Sequence, residues 1–270
     1  MMNAALLTFT SLIMQSVSMA FNIYISNKVG AEGIGLFTLI MSVYGLCVTF
    51  ATSGVHLASV RLVSEAIGKN SDKQVLASLK RCFIYAVLFG FTTGTAVFLL
   101  ADYIVNVWLA DIRTIRCIKI LAASLPFVSL SCVMSGYFSA VRRVFKSASS
   151  QVLEELITIG LVCTGLYFLL PKGIEYACIA IIGGNCIAQV LAFIYTTALF
   201  LFDIKKHNSR SGSVPPALTR DMLAITLPVA FTAYAKSGLS TIKNLLIPYG
   251  LKKNGAGGKG AIEAFGKLTG

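Results

Sequence analysis

Two lysines, Lys236 and Lys243, stand inside an apolar run of residues 222–249. A charged side chain at the bilayer centre costs at least about 2.5 to 3.5 kcal/mol on insertion scales, so each needs a partner or a wet cavity. Seven residues is close to two helical turns, which puts both amines on one face of a helix. The chemistry such a face offers is the binding of an anion with several oxygens, through charge-assisted hydrogen bonds. Two plainer readings stand beside it: Lys236 paired with a nearby acid or carbonyl, and Lys243 stretched along its apolar stem to the interface. In the first apolar run, residues 4–25, Gln15 and Asn22 show the same spacing of seven, and the run holds no Asp, Glu, Lys or Arg. Their shared face points to other helices or to a cavity.

Catalytic patterns are missing from the sequence. It has no Ser/His/Asp set and no H-E-x-x-H, and His56 and His207 share no ligand-like spacing with each other or with a cysteine pair. The seven cysteines lack C-x-x-C and fall mostly within apolar runs, where they read as small buried side chains. The sequence therefore calls for no catalytic residue, no metal and no cofactor.

The elements that hold these residues are membrane spans. With 56% hydrophobic and 13% charged residues among 270, and a mean hydropathy of +0.78, lipid must be the solvent. Apolar runs long enough to cross a hydrocarbon core of about 30 Å recur along the chain. They predict an all-α, polytopic helical bundle with spans near 4–25, 36–60, 82–105, 118–140, 152–170, 174–202 and 222–249. The glycine-punctuated stretch Asn27–Gly35 forms the first turn. The first run is too long for a signal-peptide core and is read as a retained helix.

The net charge of +12 comes from Lys and Arg in the breaks between spans, which argues for topology signals rather than nucleic-acid binding. Alternate connections carry twelve basic residues on one side (among them Arg61, Lys69, Arg142, Arg143, Lys146 and Lys205) and eight on the other. That bias predicts a multi-pass protein of the cell membrane with a cytoplasmic N-terminus.

Glu154 and Glu155, after the basic turn Arg142–Lys146, are read as first-turn acids at the positive end of the fifth helix. Residues 203–221 are the only long polar linker. The expected organisation is a six-helix bundle over 1–203, a cytoplasmic linker over 204–221, and the start of a second, incomplete bundle over 222–270. An eighth span opens at Ala261 and the sequence stops at Gly270, which reads as truncation within one of two parallel six-helix repeats.

Three stretches carry a family resemblance: Pro126–Glu155 with its Gly136-Tyr137-Phe138 core, Gly54–Glu65 with Ser59, Arg61, Leu62 and Val63, and Phe265–Gly270. They resemble the stage V sporulation protein B and polysaccharide-biosynthesis branch of the multidrug/oligosaccharidyl-lipid/polysaccharide exporter superfamily, which also holds the MurJ lipid II flippases and the MATE antiporters. The resemblance implies a MATE-like fold, two helical bundles about a central cavity, and alternating-access movement of a lipid-linked sugar of the undecaprenyl diphosphate type. Arg61 is the position that matches near a cavity arginine of MurJ-like members. Its planar guanidinium suits a diphosphate, as do Lys236 and Lys243 deeper in the membrane. Membrane lipids are the other expected partners; the resemblance names no coupling ion.

Two other functions compete. A cation-coupled multidrug antiporter wants a carboxylate at membrane depth, yet the first span has no acid and the seventh has two lysines. A membrane enzyme of polysaccharide assembly would carry carboxylates or histidines on a sizeable loop, and none is present.

Overall fold

The computed structural model describes residues 2–52, 54–106, 114–204, 218–253 and 260. Its elements are α1 (Met2–Thr52), α2 (Val55–Gly68), α3 (Asp72–Ile104), α4 (Ile115–Ala140), α5 (Val144–Leu169), α6 (Ile174–Ile204) and α7 (Leu218–Lys253), with a 3-10 turn at Leu170–Lys172 between α5 and α6. The fold is all-α, and the chain is a multi-pass membrane protein.

Six helical stretches among the described residues are long and apolar enough to cross a membrane; the first is Ser11–Gly68, 58 residues. Straight, it would be about 87 Å long, nearly three times a hydrocarbon core. It is bent back at Gly30, whose φ of 80° and ψ of 173° lie outside the helical region. Glycine alone takes that conformation at no steric cost. The packing shows the reversal. Near the bend, Ile25, Val29 and Ile34 cluster with Val162, Leu166, Ala177 and Ile181 at the α5–α6 end. Farther on, Val55, Leu62 and Val63 cluster with Val75, Leu79, Met134 and Phe200 at the opposite end. The stretch thus crosses twice, and a left-handed Gly54 separates its second crossing into α1 and α2.

The helices extend beyond the predicted spans. α3 begins at Asp72 instead of 82, because Ser71 caps it by accepting from the Gln74 N–H at 3.3 Å. α5 begins at Val144 instead of 152, so Glu154 and Glu155 lie in its third turn, inside the span, and not at its dipole end. The turn expected over Asn27–Gly35 is helical apart from Gly30. α7 starts at Leu218, within the predicted linker; residues 205–217 of that linker, residues 107–113 between the third and fourth spans, and the start of the eighth span lie outside the described residues.

Hydroxyl groups join the helices, as expected where the surrounding solvent is apolar. Ser129 Oγ lies 2.9 Å from the carbonyls of both Ala51 and Ala86, tying three crossings together at one hydroxyl. Tyr44 shares a hydrogen bond with Ser124 at 2.9 Å and donates to Gln189 Oε1 at 3.1 Å. The seven cysteines are free thiols, five of them buried, and act as packing side chains.

Gly136 marks a close helix crossing. A Cβ there would stand 2.8 Å from the His56 carbonyl oxygen and 2.8 Å from Ser59 Cβ. The neighbouring Tyr137 and Phe138 are fully buried, so α2 has no room to withdraw. Gly136→Ala is expected to destabilise the bundle by about 1 to 3 kcal/mol, the usual cost of overpacking. Thermal aggregation of the detergent-solubilised protein measures this; an unchanged midpoint would mean that the crossing is slack.

Candidate functional site

The polar faces of α1 and α7 meet in a cleft. On α1, Thr38, Ser42 and Gly45 share one flank by their spacing of four and three; on α7, Ser237, Ser240, Thr241 and Asn244 do the same. The cleft between them has a volume of about 330 Å³. Asn244 Nδ2 donates to Ser42 Oγ at 2.7 Å, and Thr241 Oγ1 donates to the Ser42 carbonyl at 3.1 Å. The floor is therefore built from hydroxyl and amide groups with unused lone pairs and donors, chemistry that fits polyol or phosphate oxygens.

Lys236 and Lys243 are not among the residues that line this cleft. Together with Ser240 they form one row along α7, at i, i+4 and i+7. Both lysines are exposed. Neither forms a hydrogen bond or ion pair among the described residues, so the acid or carbonyl partner considered for Lys236 is not found there. The pairing Phe50–Tyr234, with ring centres 4.5 Å apart, and the approach of Val229 to Gly54 align α7 antiparallel to the second crossing. Lys236 falls opposite residues near Phe50, in the middle of that crossing.

The other predicted residues stand elsewhere. Arg61 is on the exposed face of α2, and its Nε donates to Glu65 Oε1 at 3.1 Å, one helical turn away. No hydrogen bond links it to α7 among the described residues. Gln15 and Asn22 are exposed on the first crossing and share a stripe with Ser11 and Ser18. Ser18 Oγ donates to Glu155 Oε1 of α5 at 2.6 Å. That stripe and the cleft form two separate polar faces.

Sequence reasoning missed two features here. Glu155 escaped because it was assigned to a helix start. The second is Asp203 at the end of α6, 1% exposed. It accepts from Lys146 Nζ at 3.0 Å and from the Tyr137 hydroxyl at 3.2 Å, and its other contact is the Arg143 guanidinium. Lys146 also stands 5.6 Å from the centre of the Phe138 ring. The motif core and the basic turn after it thus converge on one buried carboxylate, where the polar linker departs.

The sequence pattern of the family described as "Polysaccharide biosynthesis protein" matches residues 1–258. The chain belongs to that family. It is 24% identical to Stage V sporulation protein B of Bacillus subtilis (strain 168), over 92% of this chain and 49% of that protein. It is 22% identical to Sporulation protein YkvU of the same organism, over 98% of this chain and 58% of that one. The chain spans about half the length of the curated relatives it matches. In fold, it is similar to the inward-facing conformation of a multidrug resistance MATE family transporter of the MOP superfamily, with a TM-score of 0.69 and 16% identity over 92% of this chain and 56% of that one. The MATE-like bundle expected from the sequence is the fold observed, and membership in the polysaccharide branch gives the cleft its context.

Proposed function

We propose that this chain supplies the first bundle, residues 1–203, and the opening of the second, residues 222–270, of a transporter that moves a lipid-linked sugar across the cell membrane by alternating access. The observation that carries this reading is the row Lys236–Ser240–Lys243 beside a cleft floored by hydroxyl and amide groups. An isolated cation at that depth is costly without an anion or water. A sugar diphosphate answers both parts of the site: its phosphate oxygens accept from the lysines, and its hydroxyls exchange bonds with Ser237, Ser240 and Asn244. Arg61, at the other end of the second crossing, receives the head group at the mouth, and Gln15 and Asn22 offer a second, separate polar face on the first crossing. Nothing in this scheme breaks or makes a covalent bond, so the activity is transport and not catalysis.

Depleting the protein in its own cell tests the reading. Lipid-linked sugars should accumulate on the inner face, as read by their protection from an impermeant glycan-cleaving enzyme in spheroplasts. An unchanged distribution would remove the substrate from the proposal.

The orientation follows from the basic residues, twelve against eight, and gives a cytoplasmic N-terminus. In a cysteine-free background, Lys69→Cys should stay protected from an impermeant maleimide in intact cells while Pro171→Cys labels. The opposite pattern would invert the topology.

A second reading, cation-coupled multidrug antiport, is favoured by one feature: the Glu155 carboxylate within the span, bonded to Ser18. Energised efflux of a cationic dye that disappears in Glu155→Gln would favour it over sugar transport.

A further inference from the structure

The turn between α4 and α5 divides its side chains between two directions. Arg143 and Lys146, three residues apart, reach inward to the buried Asp203 carboxylate. Arg142 and Phe145, with the same spacing, are exposed. The Arg142 side chain makes no hydrogen bond or ion pair among the described residues. Residues 205–217, which follow Asp203 in the chain, contain no acid and add the cations Lys205, Lys206 and Arg210. The backbone of Arg142 is left-handed, with a φ of 59°, at the place that closes α4: its N–H bonds the Ser139 carbonyl, and the Arg143 N–H bonds the Phe138 carbonyl. Glycine is the usual residue there, because a Cβ is strained at positive φ. An arginine held at that place in spite of its Cβ calls for a use of the guanidinium.

Phe145 fixes the depth at which that guanidinium stands. On α5, Phe145, Leu156 and Tyr167 follow one another at intervals of about three helical turns and so share one face. They are 69%, 58% and 78% exposed, and large apolar side chains so exposed on a membrane-crossing helix face lipid. From Phe145 to Tyr167 the helix rises about 33 Å, close to the thickness of a hydrocarbon core, which puts an aromatic ring at each boundary. α4 ends at Ala140 and α5 begins at Val144, so the turn between them is too short to carry Arg142 away from the boundary that Phe145 marks. The guanidinium therefore stands at the level of the lipid phosphates.

We propose that Arg142 and Phe145 form a binding site for an anionic phospholipid of the leaflet at that end of the bundle. The planar guanidinium holds the phosphate oxygens through paired charge-assisted hydrogen bonds, and the ring packs on the first methylenes of an acyl chain. Charge complementarity selects the head group. Arg142, Arg143 and Lys146 face a single carboxylate, Asp203, so the turn keeps an excess of positive charge. A zwitterionic head group would bring a second cation beside Arg142, and an anionic one does not. Phe145 selects a lipid over a soluble anion, because it continues the row of side chains that faces hydrocarbon. The site is independent of the transport reading.

Native mass spectrometry of the full chain, released from micelles holding equal amounts of phosphatidylglycerol and phosphatidylcholine, tests this. Wild type should retain phosphatidylglycerol several-fold over phosphatidylcholine. Arg142→Gly should remove most of that preference and at the same time raise the melting temperature in detergent, since glycine relaxes the positive φ. Phe145→Ala should lower the retained phosphatidylglycerol several-fold. Lys80→Gln, which neutralises an exposed cation of α3 at the same end of the bundle, should leave the preference as it is. A preference that survives Arg142→Gly or Phe145→Ala, or that falls as far in Lys80→Gln, would make Arg142 one of several interchangeable surface charges and overturn the proposal. Displacement of the lipid by inorganic phosphate, beyond that by chloride at equal ionic strength, would make the occupant a soluble anion and overturn it as well.

Discussion

Arg143→Ala and Lys146→Ala combined should lower the stability of the bundle by about 3 to 5 kcal/mol, the cost of leaving a buried carboxylate without a cation. Asp203 is 1% exposed, and without those two side chains it retains only the Tyr137 hydroxyl among its named donors. Each single variant should cost far less, because the other cation remains and both are partly open to water, at 39% and 29% exposure. Adding Asp203→Leu to the double variant should recover most of the loss, since it removes the stranded charge rather than restoring its partners. The fraction of protein surviving heating in detergent reads all four variants. A double variant no worse than the sum of the singles would mean that the carboxylate is hydrated and that the cluster does not clamp the end of α6.

That cluster shows what could and could not be read from the chain. Pro126–Glu155 stood out because it joins a span, a basic turn and an acidic stretch, and its Gly136-Tyr137-Phe138 core is indeed a tight, buried crossing. The partner of the basic turn could not be seen, because Asp203 is 57 and 60 residues from Lys146 and Arg143 and looked like the first residue of a linker. Apolar runs report only the portion of a helix that sits in hydrocarbon. The helical stretches Asp72–Arg81 and Val144–Gln151 therefore fall outside the spans that the apolar runs predict, which places Glu154 and Glu155 at a helix start instead of inside α5. Gly30 was legible as a turn because glycines were its only signal; the neighbours remain helical because one residue with positive φ is enough to reverse the axis.

The candidate site was half legible. A lysine pair at a spacing of seven in an apolar run is unusual enough to single out by itself. The polar cleft on α7 faces Thr38 and Ser42, residue types common in membrane helices, and only the antiparallel alignment of α7 on α1 brings them to Asn244 and Thr241. Arg61 carried the expected chemistry, but its own helix supplies an acid at i+4 that engages it. It stands on the exposed face of α2, engaged by Glu65.

Lys236→Ala, made in the chromosomal gene, tests the central claim. Lys236 is exposed and forms no ion pair among the described residues, so its loss should leave the amount of protein in the membrane unchanged. A hydrogen bond to a charged group is worth about 1.5 to 3 kcal/mol, which corresponds to roughly a ten- to hundredfold loss of head-group binding. Movement of the lipid-linked sugar should fall accordingly in Lys236→Ala and be retained in large part in Lys236→Arg, where the charge persists. The direct measurement is the rate at which lipid-linked sugar becomes accessible to an impermeant glycan-cleaving enzyme, compared between wild type, Lys236→Ala and Lys236→Arg at matched protein levels. The predicted result is a loss of at least about tenfold for alanine with arginine close to wild type; a wild-type rate for alanine would contradict the account.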